Sequence, residues 1–229
     1  AEACQFFTVS MSSKKQDDVV DQYGIPLKSD YDQMGTSLPV TVIYVIFSSV
    51  FLTIGMVVAW VVYSSNSAKY DAKISLLAAN DLGWVYIGLV IIGKMMIGIN
   101  GNLGQARKAA KVNVPDQQVY KVYTKPTEPK LGYVLMEQDG DLGRFNRAQR
   151  ALQNYLEVAP FFLVNFLAAG FVFPFPAFCL GILYSIARIV YAVGYTHSPG
   201  GRMAGNFLGM FLLTTQEALV LLAGLKAVL

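Results

Sequence analysis

Four polar residues, Arg147, Arg150, Asn154 and Glu157, recur at steps of three, four and three within a largely apolar run. On an α-helix that spacing puts them on one stripe. A second apolar run carries Arg188, Tyr191 and Tyr195 at steps of three and four, which again share a face. Guanidinium forks match carboxylates, and tyrosine hydroxyls add polar contacts, so two such stripes on neighbouring helices describe an anion pocket for a small, acidic, polar ligand. The structural alternative is that Arg147 and Arg150 snorkel to an interface while Asn154 and Glu157 join Arg188 as interhelical glue. Spacing alone leaves both readings open. Arg202, seven residues after Tyr195, either brings one more positive charge to the pocket or anchors the next helix.

The elements that position these stripes must work in an apolar medium. Of 229 residues, 54% are hydrophobic and only 14% charged, with a mean hydropathy of +0.44, against roughly a quarter charged in a soluble domain. A membrane-crossing helix needs about 20 mainly apolar residues, and runs of that kind lie at 38–63, 82–104, 145–172, 177–195 and 203–229. The first has no charge and ends in Trp60 and Tyr63, suited to the interface. The second opens with Trp84 and Tyr86 but holds Lys94, Asn100 and Asn102, so it cannot face lipid all round. A short FPFP turn at 173–176 is expected to separate the third run from the fourth. A charge at membrane depth costs at least about 2.5 kcal/mol on insertion scales; Lys94 and Glu217 are therefore expected to pair between helices.

Between the runs lie a polar tail (1–37), a short loop (64–81), a long loop (105–144) and a tight one (196–202). The tail, long loop and tight loop fall on one side and carry Lys14, Lys15, Lys28, Arg107, Lys108, Lys111, Lys121, Lys125, Lys130, Arg144 and Arg202. The other side has only Lys69, Lys73 and Lys226, so the basic side is expected to face the cytosol or its organellar equivalent. Residues 1–37 lack the order of a signal peptide and begin Ala-Glu-Ala, compatible with removal of a targeting segment. A net charge of +3 is too mild to suggest nucleic acid. Cys4 and Cys179 offer no disulfide framework, and a single histidine, His197, excludes a multi-histidine metal site, so no metal is expected. The stretch GINGNLG at 98–104 lacks the preceding strand of a dinucleotide fingerprint. With no inverted repeat, a transporter fits poorly.

The third run, FNRAQRALQNYLEVAPFFL, resembles the signature of the MAPEG family, the membrane-associated proteins of eicosanoid and glutathione metabolism. The stretch GQARKAAKVNVP (104–115) looks like that family's first-helix exit, and ARIVYAVGY (187–195) looks like its third-helix Arg-x-x-Tyr-x-x-x-Tyr pattern. The resemblance covers residues 82–229 and is closest to the microsomal glutathione S-transferase 3 branch, with leukotriene C synthase as a relative. It implies a four-helix bundle, a homotrimer and glutathione bound between subunits near the cytosolic side. It further implies that Arg107, Arg150, Asn154, Glu157, Arg188, Tyr191 and Tyr195 line the glutathione site and that Arg202 activates the thiol. Glutathione has two carboxylates and one ammonium, which suits arginines mixed with a glutamate. Two departures stand out: Val158 replaces a tyrosine that contacts glutathione in the leukotriene branch, and Leu152 replaces a histidine common in other members.

The expectation is thus an all-α integral membrane helical bundle. Residues 1–37 form the polar tail, 38–81 an extra transmembrane helix with its short loop, and 82–229 the MAPEG-like bundle. Resemblance implies a glutathione transferase that joins the thiol to a hydrophobic electrophile or reduces a lipid hydroperoxide, with membrane lipids as surroundings. The membrane is expected to be the endoplasmic reticulum or that of an organelle, mitochondrial or plastid. The added residues 1–81 support an alternative, an accessory subunit of a larger membrane complex built on the same bundle. The long loop holds KVYTKPTEPKLGY, whose prolines argue against a continuous helix and suit a pocket cover or a partner contact.

Overall fold

The run from Val40 to Ser65 has no charge and no proline, and it forms one unbroken helix. It is one of five helical stretches long and apolar enough to cross a membrane in the computed structural model, which describes residues 26–121 and 135–229. Cys4, Lys14, Lys15, Lys125, Lys130 and most of the proline-containing stretch 121–133 lie outside the described residues. Among those described, the order is α1 (Asp30–Gln33), α2 (Val40–Ser65), α3 (Ser67–Ala79), α4 (Gly83–Ala110), α5 (Gly140–Val172), α6 (Pro174–His197) and α7 (Met203–Val228). A 3-10 turn, Pro199–Arg202, joins α6 to α7. Between α4 and α5, β1 (Tyr120–Lys121) pairs antiparallel with β2 (Leu135–Met136). The chain is an all-α, multi-pass membrane bundle, as its composition requires.

Several boundaries differ from the sequence expectation. Residues 67–79 are helix α3, not loop: Asn66 accepts a hydrogen bond from Lys69 N at 3.4 Å as N-cap, and Ala, Lys and Leu are good helix formers. Helix α4 continues past Gly104 through the Ala- and Lys-rich GQARKAA and ends at Lys111, which takes the left-handed conformation (φ 54°) common after a helix C-terminus. Helix α5 starts at Gly140 and accommodates Pro160 internally. The FPFP segment breaks helix only at Phe173, because Pro174 occupies the first turn of α6, where a missing N–H costs nothing.

Helices α4 to α7 pack around a core of Val85, Ile92, Phe162, Phe166, Tyr184, Ala187 and Leu212. Phe162 stacks on Tyr184 with ring centroids 4.2 Å apart. A second cluster, with Leu103, Ala106, Phe145 and Ala148, closes the end where α4 meets α5. Lipid offers little hydrophobic drive between helices, so close approach depends on small residues. A Cβ added at Gly98 would lie 2.9 Å from Ile189 of α6; at Gly101 it would lie 2.5 Å from Thr41, and at Gly104 2.6 Å from Val40, both of α2. The glycines of GINGNLG therefore serve helix packing on two faces of α4.

Helix α2 docks on α4 through its first turns. Val40 N donates to Gln105 Oε1 (3.2 Å), and Lys94 Nζ donates to Ser48 Oγ (2.6 Å) and Ser48 O (3.3 Å). Lys94 thus bonds between helices, but to a serine. Glu217, half-buried on α7, has no hydrogen-bond or ion-pair partner among the described residues, contrary to the pairing expected. Beyond Ser48, the apolar residues of α2 are exposed on every side. The segment before α2 is pinned to the end of α4: Asp30 N donates to Asn113 Oδ1 (2.9 Å), and Lys108 lies 3.5 Å from Asp32.

Candidate functional site

The two polar stripes meet where α5 faces α6, near the end that carries most of the basic residues. Asn154 of α5 accepts a hydrogen bond from Arg188 Nη2 of α6 at 2.7 Å. Arg188 is buried, 5% exposed. Its guanidinium carbon lies 4.5 Å from the centroid of the Tyr191 ring and 5.9 Å from that of Tyr155, so the cation rests on π-faces. Its Nε is buried with no hydrogen-bond partner among the described residues. A charged donor held by one amide and two rings, with a donor to spare, is fixed in place and retains capacity for an anion.

The chain of contacts continues toward the membrane surface. Tyr191 and Tyr195, one helical turn apart, have ring centroids 5.9 Å apart, and the Arg202 guanidinium sits 4.9 Å above the Tyr195 ring. Arg202 is exposed, at the end of the 3-10 turn. That turn is pulled against α6 by backbone packing, since a Cβ at Gly194 would overlap Gly201 O. Where α7 begins, a Cβ at Gly205 would overlap the backbone N of Tyr191. These glycines bring Arg202 back over the tyrosines of α6.

Arg150 and Glu157 form an ion pair at 3.1 Å along the exposed stripe of α5, two turns apart, with side chains 42% and 49% exposed. Arg150 and Tyr195 also line a small cavity of about 140 Å³ with Gln138 and Pro199. Arg147, on the same stripe, is structural: its Nε donates to Tyr195 O (3.1 Å) and Thr196 O (3.3 Å), and its Nη1 to Gln138 O (2.7 Å). It satisfies the last carbonyls of α6 and holds the β2 exit. The glue and pocket readings thus divide by residue. Arg147 and Asn154 bond between elements, whereas Glu157 pairs within its own helix and not with Arg188.

Arg107 stands apart from the other site residues within this chain. Its Nη1 donates to Val112 O (3.3 Å) and Asn113 O (3.4 Å), and its guanidinium lies 4.9 Å from the Phe145 ring centroid. It lines a different cavity, between α4 and the α1–α2 segment. Of the two departures noted in the sequence, Leu152 packs against the Phe145 and Tyr155 clusters, and Val158 is half-buried.

Three further contributors lie off the polar stripes. Tyr155 carries the second ring beside Arg188. Buried Asn146 donates to Val119 O (2.7 Å) and Glu137 O (2.8 Å) and accepts from Val119 N (2.9 Å), clamping both ends of the long loop to α5. Asn102 Nδ2 donates to Thr196 Oγ1 at 2.8 Å, tying α4 to α6 beside the site. Asn146 lies one turn before Arg150, a step of four that could have drawn attention to it.

The ordered motifs that build this arrangement are matched by the MAPEG family profile, which covers residues 82–223, more than half of the 229-residue chain. The chain belongs to the MAPEG family. The matched region begins at the α3–α4 junction, so α1 to α3 lie outside it. This MAPEG chain is also 40% identical over 79 residues to the mouse (Mus musculus) protein named microsomal glutathione S-transferase 2. That stretch is 34% of this chain and 54% of the relative, so the chain spans about half the length of the relative it matches. In this MAPEG bundle the site consists of a buried cation, a tyrosine pair, an exposed ion pair and an exposed arginine over Tyr195.

Proposed function

We propose that this protein is a membrane glutathione transferase whose site is the α5–α6 groove and whose thiol-activating residue is Arg202. The observation that carries the reading is the contiguous series of contacts Asn154, Arg188, Tyr191, Tyr195 and Arg202, which runs from a buried cation to an exposed one. Arg188 and Arg150 suit the two carboxylates of glutathione, and Glu157 suits its ammonium. A guanidinium near the sulfur favours the thiolate, which is the nucleophile. In conjugation by substitution, the thiol proton leaves to solvent, the thiolate sulfur bonds to the electrophilic carbon of a hydrophobic substrate, and that carbon's bond to its leaving group breaks, releasing the group as an anion with the bonding pair. In the peroxidase variant, two glutathione molecules supply two electrons and two protons, giving an alcohol, water and the disulfide.

Arg107 joins this site in our reading only across a boundary between copies, as in a homotrimer, because within one chain it faces another cavity. Placement nearest the microsomal glutathione S-transferase 3 branch is part of the same proposal and rests on the motif resemblance. An endoplasmic reticulum or organellar membrane is the proposed location. Purified full-length protein is expected to conjugate glutathione to chlorodinitrobenzene, a generic electrophile; folded protein without glutathione-dependent turnover of that compound or of a lipid hydroperoxide contradicts the catalytic reading.

A second reading is favoured by one observation: α2, outside the family match, is apolar and exposed on every side beyond Ser48. It proposes an accessory subunit that docks through residues 1–81. The mass of the gently solubilised native assembly separates the two, since a homotrimer favours the enzyme and a large hetero-complex favours the subunit.

A further inference from the structure

The α1–α2 segment and α4 enclose a cavity of about 660 Å³ that the glutathione reading does not use within this chain. Its size falls within the usual range for small-molecule sites, roughly 300–1,000 Å³. Its polar end holds the Asp30 carboxylate, the Arg107 guanidinium and the Asn113 amide; Phe47, Ile97 and Leu103 belong to its apolar part. Asp30 has no ion-pair partner among the described residues, and the two carbonyl bonds of Arg107 both use Nη1. Two opposite charges thus stand at one end of a largely apolar chamber.

The mouth tells how a ligand enters. Met34, Phe47 and Val114 are 53%, 54% and 75% exposed and all line the cavity, so its rim is apolar. Phe47 lies roughly 10 Å along α2 from its start, at 1.5 Å per residue, which carries the chamber from the membrane surface into hydrocarbon depth. The polar end stays at the surface, beside the α1 segment and the α4 exit. A molecule that enters from the bilayer, leaves a chain among Phe47, Ile97 and Leu103, and presents both a negative and a positive group to the polar end satisfies all of these features.

We propose that this cavity binds one phospholipid with a zwitterionic head, its phosphate on Arg107 and its amine on Asp30. The close α2–α4 contact at Gly101 and Gly104 builds the chamber wall, and Tyr31 and Tyr44, with hydroxyls 2.6 Å apart, line it. Because Asp30, Tyr31 and Tyr44 lie outside the family match at 82–223, the site belongs to the N-terminal addition. It shares Arg107 with the glutathione contact proposed between copies, whereas Asp30 and Met34 take no part in that contact, so variants at these two test lipid binding separately from glutathione binding.

The test uses the full chain reconstituted in vesicles of equal phosphatidylcholine and phosphatidylglycerol, extracted in mild detergent, with retained lipid read by native mass spectrometry. The expected result is one phosphatidylcholine per chain. Asp30→Asn should reduce the preference for phosphatidylcholine over phosphatidylglycerol by up to about fivefold, the upper end of what one exposed charge contact supplies. Met34→Trp, which fills the rim, should lower retention of both lipids. Oleate supplied in competition should displace little, since it has no positive group. Preference for phosphatidylglycerol or oleate in the unmodified protein, retention indifferent to head group and to both variants, or no retained lipid would each overturn the proposal.

Discussion

Arg188 and Asn154 join α6 to α5 by a 2.7 Å hydrogen bond at a place where the arginine is buried. A buried cation with one strong acceptor depends on that acceptor. Hydrogen bonds to charged groups contribute about 1.5–3 kcal/mol, and an orphaned buried charge costs more. Asn154→Ala is therefore expected to destabilise the bundle by about 2–3 kcal/mol, whereas Asn154→Asp, which keeps an acceptor and adds a countercharge, should preserve most of the stability. Thermal unfolding in detergent checks this; equal melting of the two variants would show that the amide does not hold Arg188.

The contact between α2 and α4 rests on Gly104, whose added Cβ would meet Val40 at 2.6 Å and the Tyr31 hydroxyl at 3.1 Å. Gly104→Val should separate the helices while leaving the α4–α7 bundle intact. Spin labels on the exposed residues Val57 and Tyr86, read by pulsed electron resonance, should show a broadened distance distribution in the variant. An unchanged distribution would mean that α2 is held elsewhere.

Tyr31, outside the membrane-crossing helices, has its hydroxyl pushed well above the usual tyrosine range, first by burial and next by the hydrogen bond with Tyr44. A folded-state pKa raised above the unfolded value, ordinarily near 10, favours the protonated, folded form. The stabilisation is complete below pH about 10 and is lost as pH rises through the folded value. An ultraviolet phenolate titration should lose one tyrosine's share of the late-ionising amplitude in Tyr31→Phe; an unchanged late amplitude would contradict the shift.

Gln216 of α7 is fully buried, and neither of its amide atoms has a hydrogen-bond partner among the described residues. An apolar side chain of similar size removes that desolvation penalty, so Gln216→Leu should raise stability by about 1–3 kcal/mol. A lower melting temperature in that variant would show that the amide is satisfied in the assembled protein.

The five long helices were legible because some twenty apolar residues in a row have few other uses, and the matching stripes on α5 and α6 followed from helical periodicity. Helix α3 was not legible, because its Lys69, Asp71 and Lys73 read as loop polarity while a side-chain cap at Asn66 started a helix. The direction of Arg107 was also hidden: spacing orders residues along α4, but only packing decides that Gly101 and Gly104 face α2 and that Arg107 borders that side. The partner of Lys94 required tertiary structure too, since nothing in a run of apolar residues marks Ser48 as its acceptor.

The most direct measurement is the ultraviolet thiolate difference spectrum on adding glutathione to the purified, folded protein, with Arg202→Ala as control. A saturable thiolate signal is expected that falls by about an order of magnitude in the variant, the most that a shift of one pKa unit produces. A signal that survives Arg202→Ala would contradict the activating role of Arg202, and no signal in the unmodified protein would contradict the glutathione site itself.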